Sequence, residues 1–232
     1  MKVLGIESSS LVASVGLVTD GILTAEYTVN YKKTHSQTLL PMLDELCRLV
    51  ELEMESLDGI AVSAGPGSFT GLRIGSATAK GLGLALNKPL ISVPTIDALA
   101  YNLWGCSHLV CPMMDARRSQ VYTGLYYVED NLAVQKESCA MDVHALAQIL
   151  NERGEKVIFL GDGVPVYREE LIRELSVPYA FAPAHSSRQR GASVAALGTL
   201  YLEEGKWETA AEHRPEYLRK PQAEREREGI VL

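Results

Sequence analysis

Apolar and polar positions along the chain recur at two periods, near two and near 3.6 residues, and the switches between them lay out the elements. Lys2 to Glu7 is an apolar run that predicts a strand, and Ser8 to Ser10 a small polar turn. Residues 12–19 predict a second strand, closed by Asp20-Gly21, a dipeptide suited to a tight hairpin, and residues 22–30 a third. Leu39, Leu43, Leu46 and Val50 then repeat at helical spacing. They predict an amphipathic helix over about 36–52, with Pro41 in its first turn or bending it. A strand at 59–64 and a long helix of small residues at 72–86 follow, with Pro89 as the stop. Residues 90–93 read as a short strand and 95–104 as a connecting helix capped by Thr95.

The same order then returns. Residues 108–114 form an apolar strand ending at Asp115, and sliding it onto the first strand sets Asp115 over Glu7, Gly124 over Gly16 and Leu125 over Leu17. Asp130-Asn131 replaces Asp20-Gly21, and Val143, Leu146, Ala147 and Leu150 mark a second amphipathic helix. A strand at 156–160 runs into Gly161-Asp162-Gly163 as the strand at 59–64 runs into its own glycine loop. Two β-β-β-α-β-α halves, 1–105 and 106–232, imply an α/β protein built by duplication. The second half should end with a helix at about 193–204, capped by Ser193, and a tail that packs back toward the first half. Pro215-Glu216-Tyr217-Leu218-Arg219 reads as an extended segment, and Glu224 to Glu228 as a solvated run.

The stretch from Ser63 to Gly75, S-A-G-P-G-S-F-T-G-L-R-I-G, organises the first half. Gly65, Gly67 and Gly71 permit positive φ and close backbone approach, Pro66 fixes one φ between them, and Ser68 and Thr70 are suitable helix caps. A capped helix start behind such a loop could receive an anion, or the glycines could simply let strand and helix pack closely. It is not a P-loop, because Leu72 rather than Lys follows Gly71. Gly71, Gly75, Ala79 and Gly83 recur every four residues, a stripe with no side chain beyond a methyl. Glycine within a helix costs about 1 kcal/mol relative to alanine, so the stripe implies a close contact, either with the sheet of the same chain or with a helix of a second subunit.

At 232 residues and 47% hydrophobic, the chain can bury one large core or two modest ones. A net charge of −7 argues against unaided binding of RNA or DNA, since cationic neutralisation of phosphates supplies most non-specific affinity. Cys47, Cys106, Cys111 and Cys139 lack C-x-x-C spacing and read as reduced packing thiols. Neither an export signal nor an apolar run of membrane-spanning length stands out, so a cytoplasmic protein without a membrane partner is expected.

L-G-I-E-S-S-S at the start, the glycine loop with R-I-G, D-A-R at 115–117 and P-E-Y-L-R at 215–219 together resemble the TsaB (YeaZ) family, within the actin/hexokinase-like (ASKHA), ribonuclease-H-like superfamily. The resemblance implies an assembly subunit of the machinery that places a threonylcarbamoyl group on the adenosine 3′ of the anticodon in tRNAs reading codons that begin with A. It implies a homologous catalytic partner, TsaD, an ATPase partner, TsaE, contact with tRNA only through the complex, and a possible homodimer. ATP or ADP and a metal are expected in the partner subunits, with no cofactor, metal or catalytic residue in this chain. TsaD-like proteins pair two histidines four apart; here His35 has Tyr31 before it and Leu39 after it, and none of the five histidines has another at i+3 or i+4.

The expected partner interface comprises His35, Leu39, Leu43 and Leu46 from the first helix with Gly71, Arg73, Gly75, Ala79 and Gly83 from the small-residue helix. Candidate nucleotide or phosphate contacts are Glu7, Ser8, Gly65, Gly67, Ser68, Asp115, Gly161 and Gly163, and Arg117 and Arg118 could face phosphate or the partner. The duplicated fold with its two acids leaves an actin-like small-molecule kinase or ATPase as the alternative. A metallopeptidase is weaker still, for want of a histidine pair or H-E-x-x-H.

Overall fold

The computed structural model describes residues 1–218. Arg219 and the charged run Glu224 to Glu228 lie outside the described residues. The first sheet holds β1 (Lys2–Glu7), β2 (Val12–Thr19), β3 (Ile22–Asn30), β4 (Gly59–Gly65) and β5 (Leu90–Pro94) in the order β3-β2-β1-β4-β5. Its helices are α1 (His35–Leu49) and α2 (Phe69–Leu86), and α3 (Thr95–Tyr101) leads away from it. The second sheet holds β6 (Cys106–Asp115), β7 (Gln120–Val128), β8 (Ala133–Asp142), β9 (Val157–Leu160) and β10 (Tyr179–Phe181) in the order β10-β9-β6-β7-β8. With α4 (Val143–Arg153), α5 (Val164–Glu174) and the closing α6 (Gly191–Glu203), the element order of the first half is repeated.

In each half the first strand pairs antiparallel with the second and parallel with the fourth, the mixed plan of a duplicated α/β unit. The two registers differ by one residue. Glu7 faces Ser14 but Asp115 faces Val121, so the second turn is one residue shorter and Thr123, not Gly124, stands where Gly16 does. Asp20 and Gly21 both take positive φ, +49° and +78°, as the tight turn between β2 and β3 requires.

Each sheet buries one face under its own helices. Leu4, Ile6, Leu17, Ile60 and Val62 meet Leu39, Leu43 and Leu46 of α1 and Ala79 of α2; Leu109, Cys111, Phe159 and Val157 meet Leu146, Leu150 and Leu171 of α4 and α5. The opposite faces are covered by an exchange. Ile96, Leu99 and Ala100 of α3 pack with Val110, Tyr126 and Leu160 of the second sheet, while Val194 and Leu197 of α6 pack with Val3, Ala61 and Ile91 of the first. Backbone approaches backbone here: a Cβ on Gly16 would lie 2.5 Å from the Ala192 nitrogen.

Several boundaries differ from the sequence reading, each for a tertiary reason. The first helix stops at Leu49 because Glu51 turns to φ +50° and the Leu52 amide bonds back to the Cys47 carbonyl. Pro41 lies in its second turn. The small-residue helix starts at Phe69 with Ser68 as its cap, the hydroxyl accepting from the Gly71 amide at 3.3 Å; Thr70 is already helical. Thr95 does not cap α3, whose N-cap is Pro94, and the helix ends at Tyr101. Ser193 does not cap α6 either. Its hydroxyl donates to Asn102 Oδ1 at 2.5 Å, while the leading amides of α6 reach across to the first sheet, Gly191 to Ser14 Oγ at 2.8 Å and Ala192 to Glu26 at 3.0 Å.

Candidate functional site

A cleft of about 660 Å³ opens between the two halves. The turns after β1 and β6, the glycine loop and the start of α2 form its walls, and Ser9, Lys33, His35, Thr70, Asp115 and Arg117 are among the residues that line it.

β1 ends on Glu7, which is buried, its Oε1 accepting from the amide and hydroxyl of Ser9 at 2.6 and 2.5 Å. Burial pushes this carboxyl up to about 7, outweighing the stabilising hydrogen bonds from Ser9 and Ser63. Ser8, also buried, donates its hydroxyl to the Gly71 carbonyl at 2.9 Å. Asp115, at the matching end of β6, accepts from the Arg117 amide at 2.8 Å and the Tyr167 hydroxyl at 3.0 Å. Arg117, Arg118 and Ser119 all take positive φ in the turn beyond it. Asp162 faces the cleft with its carboxyl raised by burial, and it accepts from Gln189 Nε2 at 3.1 Å.

The glycines of the two loops pack closely on the chain's own backbone. A Cβ on Gly65 would lie 2.1 Å from the Glu216 carbonyl oxygen, on Gly67 2.4 Å from that of Ser9, and on Gly71 2.1 Å from that of Ser8. Gly161, at φ +110°, would meet the Met113 carbonyl oxygen at 2.0 Å, and Gly163 the same oxygen at 3.1 Å. Ser68 lies beside them, its amide donating to the Ser9 carbonyl at 2.6 Å. Glycine is required at these positions because backbone packs directly on backbone. The structure gathers Ser68, Gly67, Gly71 and Asp115 around the cleft but leaves Glu7, Ser8, Gly65, Gly161 and Gly163 behind its walls.

The small-residue stripe faces inward. Gly71, Gly75, Ala79 and Gly83 are all buried; a Cβ on Gly75 would lie 2.2 Å from Ser8 Oγ, and one on Gly83 2.9 Å from Leu90 Cδ2. Leu39, Leu43 and Leu46 are buried in the same core. The expectation that these seven residues form the surface offered to a partner is corrected: the sheet of the same chain already occupies the contact the stripe was built for. Arg73 is exposed, its guanidinium 4.0 Å over the Phe69 ring, and His35 donates from Nε2 to the Val12 carbonyl at 3.0 Å, pinning the start of α1 to β2. Around the inner stripe runs an outer one that sequence reasoning missed: Arg73, Ala77, Gly81 and Ala85, at the same spacing of four, all exposed, with Leu84 beside them at 66% exposure. Leu40 and Leu49 are exposed on the neighbouring α1 at 56% and 68%.

Among the described residues no group of three or more His, Cys, Asp or Glu is placed to hold a metal ion, and no helix is long and apolar enough to cross a membrane.

The family model described as TsaD, tRNA N6-adenosine threonylcarbamoyltransferase, matches residues 23–227. The tRNA threonylcarbamoyladenosine biosynthesis protein TsaB of Bacillus subtilis is 31% identical over 230 residues, covering 97% of this chain and 96% of its own. Its namesake from Escherichia coli is 32% identical over 134 residues, 56% of this chain and 57% of its own. Among solved structures, YeaZ from Pseudomonas aeruginosa superposes with a TM-score of 0.80 at 25% identity, covering 93% of this chain and 99% of that one. An ROK hexokinase from Thermus thermophilus superposes at 0.51 with 12% identity, covering 88% and 100%, a likeness of fold alone. The duplicated two-sheet plan is that of the actin/hexokinase-like proteins.

Proposed function

Because the chain belongs to the TsaB family of tRNA threonylcarbamoyladenosine biosynthesis proteins, we propose that it serves that modification as a non-catalytic assembly subunit, pairing with the related transferase TsaD and through it with the ATPase TsaE. The observation that carries this reading is the broken histidine pair: Tyr31 and Leu39 stand four residues before and after His35. The lone His35 is spent on the Val12 carbonyl. Nucleotide and metal then belong to the partner subunits, and tRNA is reached only through the complex, consistent with a net charge of −7. The same reading places the protein in the cytoplasm.

The partner surface in this reading is the exposed side of the helix pair, Leu40, Pro41 and Leu49 of α1 with Arg73, Ala77, Gly81 and Leu84 of α2. The small exposed residues Ala77 and Gly81 suit two helix pairs meeting across a two-fold or pseudo-two-fold axis. That this chain matches the model of the transferase family supports a pairing between two related folds. The alternative, an actin-like small-molecule kinase or ATPase, requires binding and turnover of ATP by the isolated chain. Deleting the gene tests the reading: threonylcarbamoyladenosine in total tRNA hydrolysates should fall, and unchanged modification, with no second copy in the cell, overturns it.

A further inference from the structure

The segment after α6 does not trail from the molecule. Leu90 and Glu208 exchange both backbone hydrogen bonds at 2.9 Å, which adds one more pairing at the edge of β5. Below them the His213 ring is fully buried, its Nδ1 2.8 Å from Glu208 Oε1 and 2.9 Å from Ser92 Oγ, and Lys80 donates to the His213 carbonyl at 3.0 Å. This end of the segment is fixed by buried polar contacts. The far end is held differently. The Glu216 amide donates to the Ala64 carbonyl at 2.7 Å, the Tyr217 ring lies 4.8 Å from that of Phe69, and Glu216 and Tyr217 are exposed. Glu216, Tyr217 and Leu218 line the interlobe cleft, and the Glu216 carbonyl is the group that closes on Gly65.

We infer that residues 208–218 are a strap, anchored at His213 and latched at Tyr217, that holds the glycine loop in place and couples the outer face of α2 to the cleft. Phe69, the first residue of α2, is the joint. It meets Tyr217 of the strap and the guanidinium of Arg73, one turn further along the exposed face of the helix. A carboxylate that draws Arg73 away removes a group that packs on the Phe69 ring and loosens the latch. Among the described residues one backbone hydrogen bond and one partly exposed ring pair hold the far end, so it opens before the buried anchor and well before the sheets. The use of this coupling in an assembly rests on α2 presenting the partner surface; the coupling itself is a property of the single chain and is tested without a partner.

Hydrogen exchange of the full-length chain, read by mass spectrometry, decides it. Tyr217→Ala should raise exchange in residues 212–218 and also in the glycine loop, 63–71, by about tenfold, with the α6 peptides unmoved. Arg73→Ala alters an exposed side chain outside the strap, so the fold is retained, and it should raise exchange in both stretches about two- to fivefold. A glycine loop that keeps its protection when Tyr217 is removed overturns the latch, and a strap indifferent to Arg73→Ala overturns the coupling. Should variants on the outer face of α2 leave partner binding intact, the partner reading fails while these exchange results stand.

Discussion

Gly71 and Gly81 lie on one helix and answer to different neighbours. A methyl on Gly71 would press on the Ser8 carbonyl, part of the backbone turn behind Glu7, whereas a methyl on Gly81 would find nothing within 4 Å. Gly71→Ala should therefore destabilise the chain by about 1–3 kcal/mol through overpacking, and Gly81→Ala should stabilise it by about 1 kcal/mol through helix propensity. Thermal unfolding of the isolated chain, read side by side, checks both signs. Glu7 makes a second prediction at this scale. Its carboxyl is raised from 4.5 to about 7 by burial, so between those values the folded state holds a proton that the unfolded chain has lost. Stability conferred by that proton is present below the unfolded value and lost as pH rises toward 7, an effect of about 3 kcal/mol. Glu7→Gln keeps an oxygen for the Ser9 amide and hydroxyl and should flatten that part of the profile in denaturant titrations run from pH 4.5 to 8. An unchanged slope would place the titrating group elsewhere.

Element by element, α2 shows what a sequence can and cannot say. The four-residue recurrence of Gly71, Gly75, Ala79 and Gly83 announced a close contact, but periodicity carries no information on whether sheet or second subunit supplies it. Two interleaved small stripes share the helix, and only the packing of Ser8, Val62 and Leu90 reveals which one is interior. Ala79 is completely buried, so Ala79→Leu should lower the melting temperature and reduce partner binding only through loss of fold. Ala77→Arg and Leu84→Arg, on exposed positions, should leave circular dichroism and melting unchanged while weakening association about tenfold or more in analytical ultracentrifugation. Normal binding by both would move the partner surface off α2. The misread helix ends have a related cause: Thr95 and Ser193 have the chemistry of caps, but Ser193 turns to Asn102, and Ser14 and Glu26, distant in sequence, take over the first amides of α6.

Over the whole molecule, strands, tight turns and the duplication were legible because each is written locally, in period-two runs, in Asp20-Gly21 and in the recurrence of one order of elements. The exchange of α3 and α6 between the sheets was not, since a helix's apolar face does not name the sheet that will cover it. The cleft was legible only as a set of acids and glycines; that the glycines pack on backbone, and that P-E-Y-L lies against one of them, depends on contacts between residues as far apart as Ala64 and Glu216. The central claim, that this chain supports a reaction it does not perform, is tested most directly by threonylcarbamoyl transfer to tRNA in vitro, scored by nucleoside analysis. This chain alone, given tRNA and threonylcarbamoyl-adenylate, should yield no modified nucleoside, and leaving it out of an otherwise complete mixture with TsaD and TsaE should cut the yield about tenfold or more. Transfer by this chain as the only protein, or full yield without it, would contradict the account.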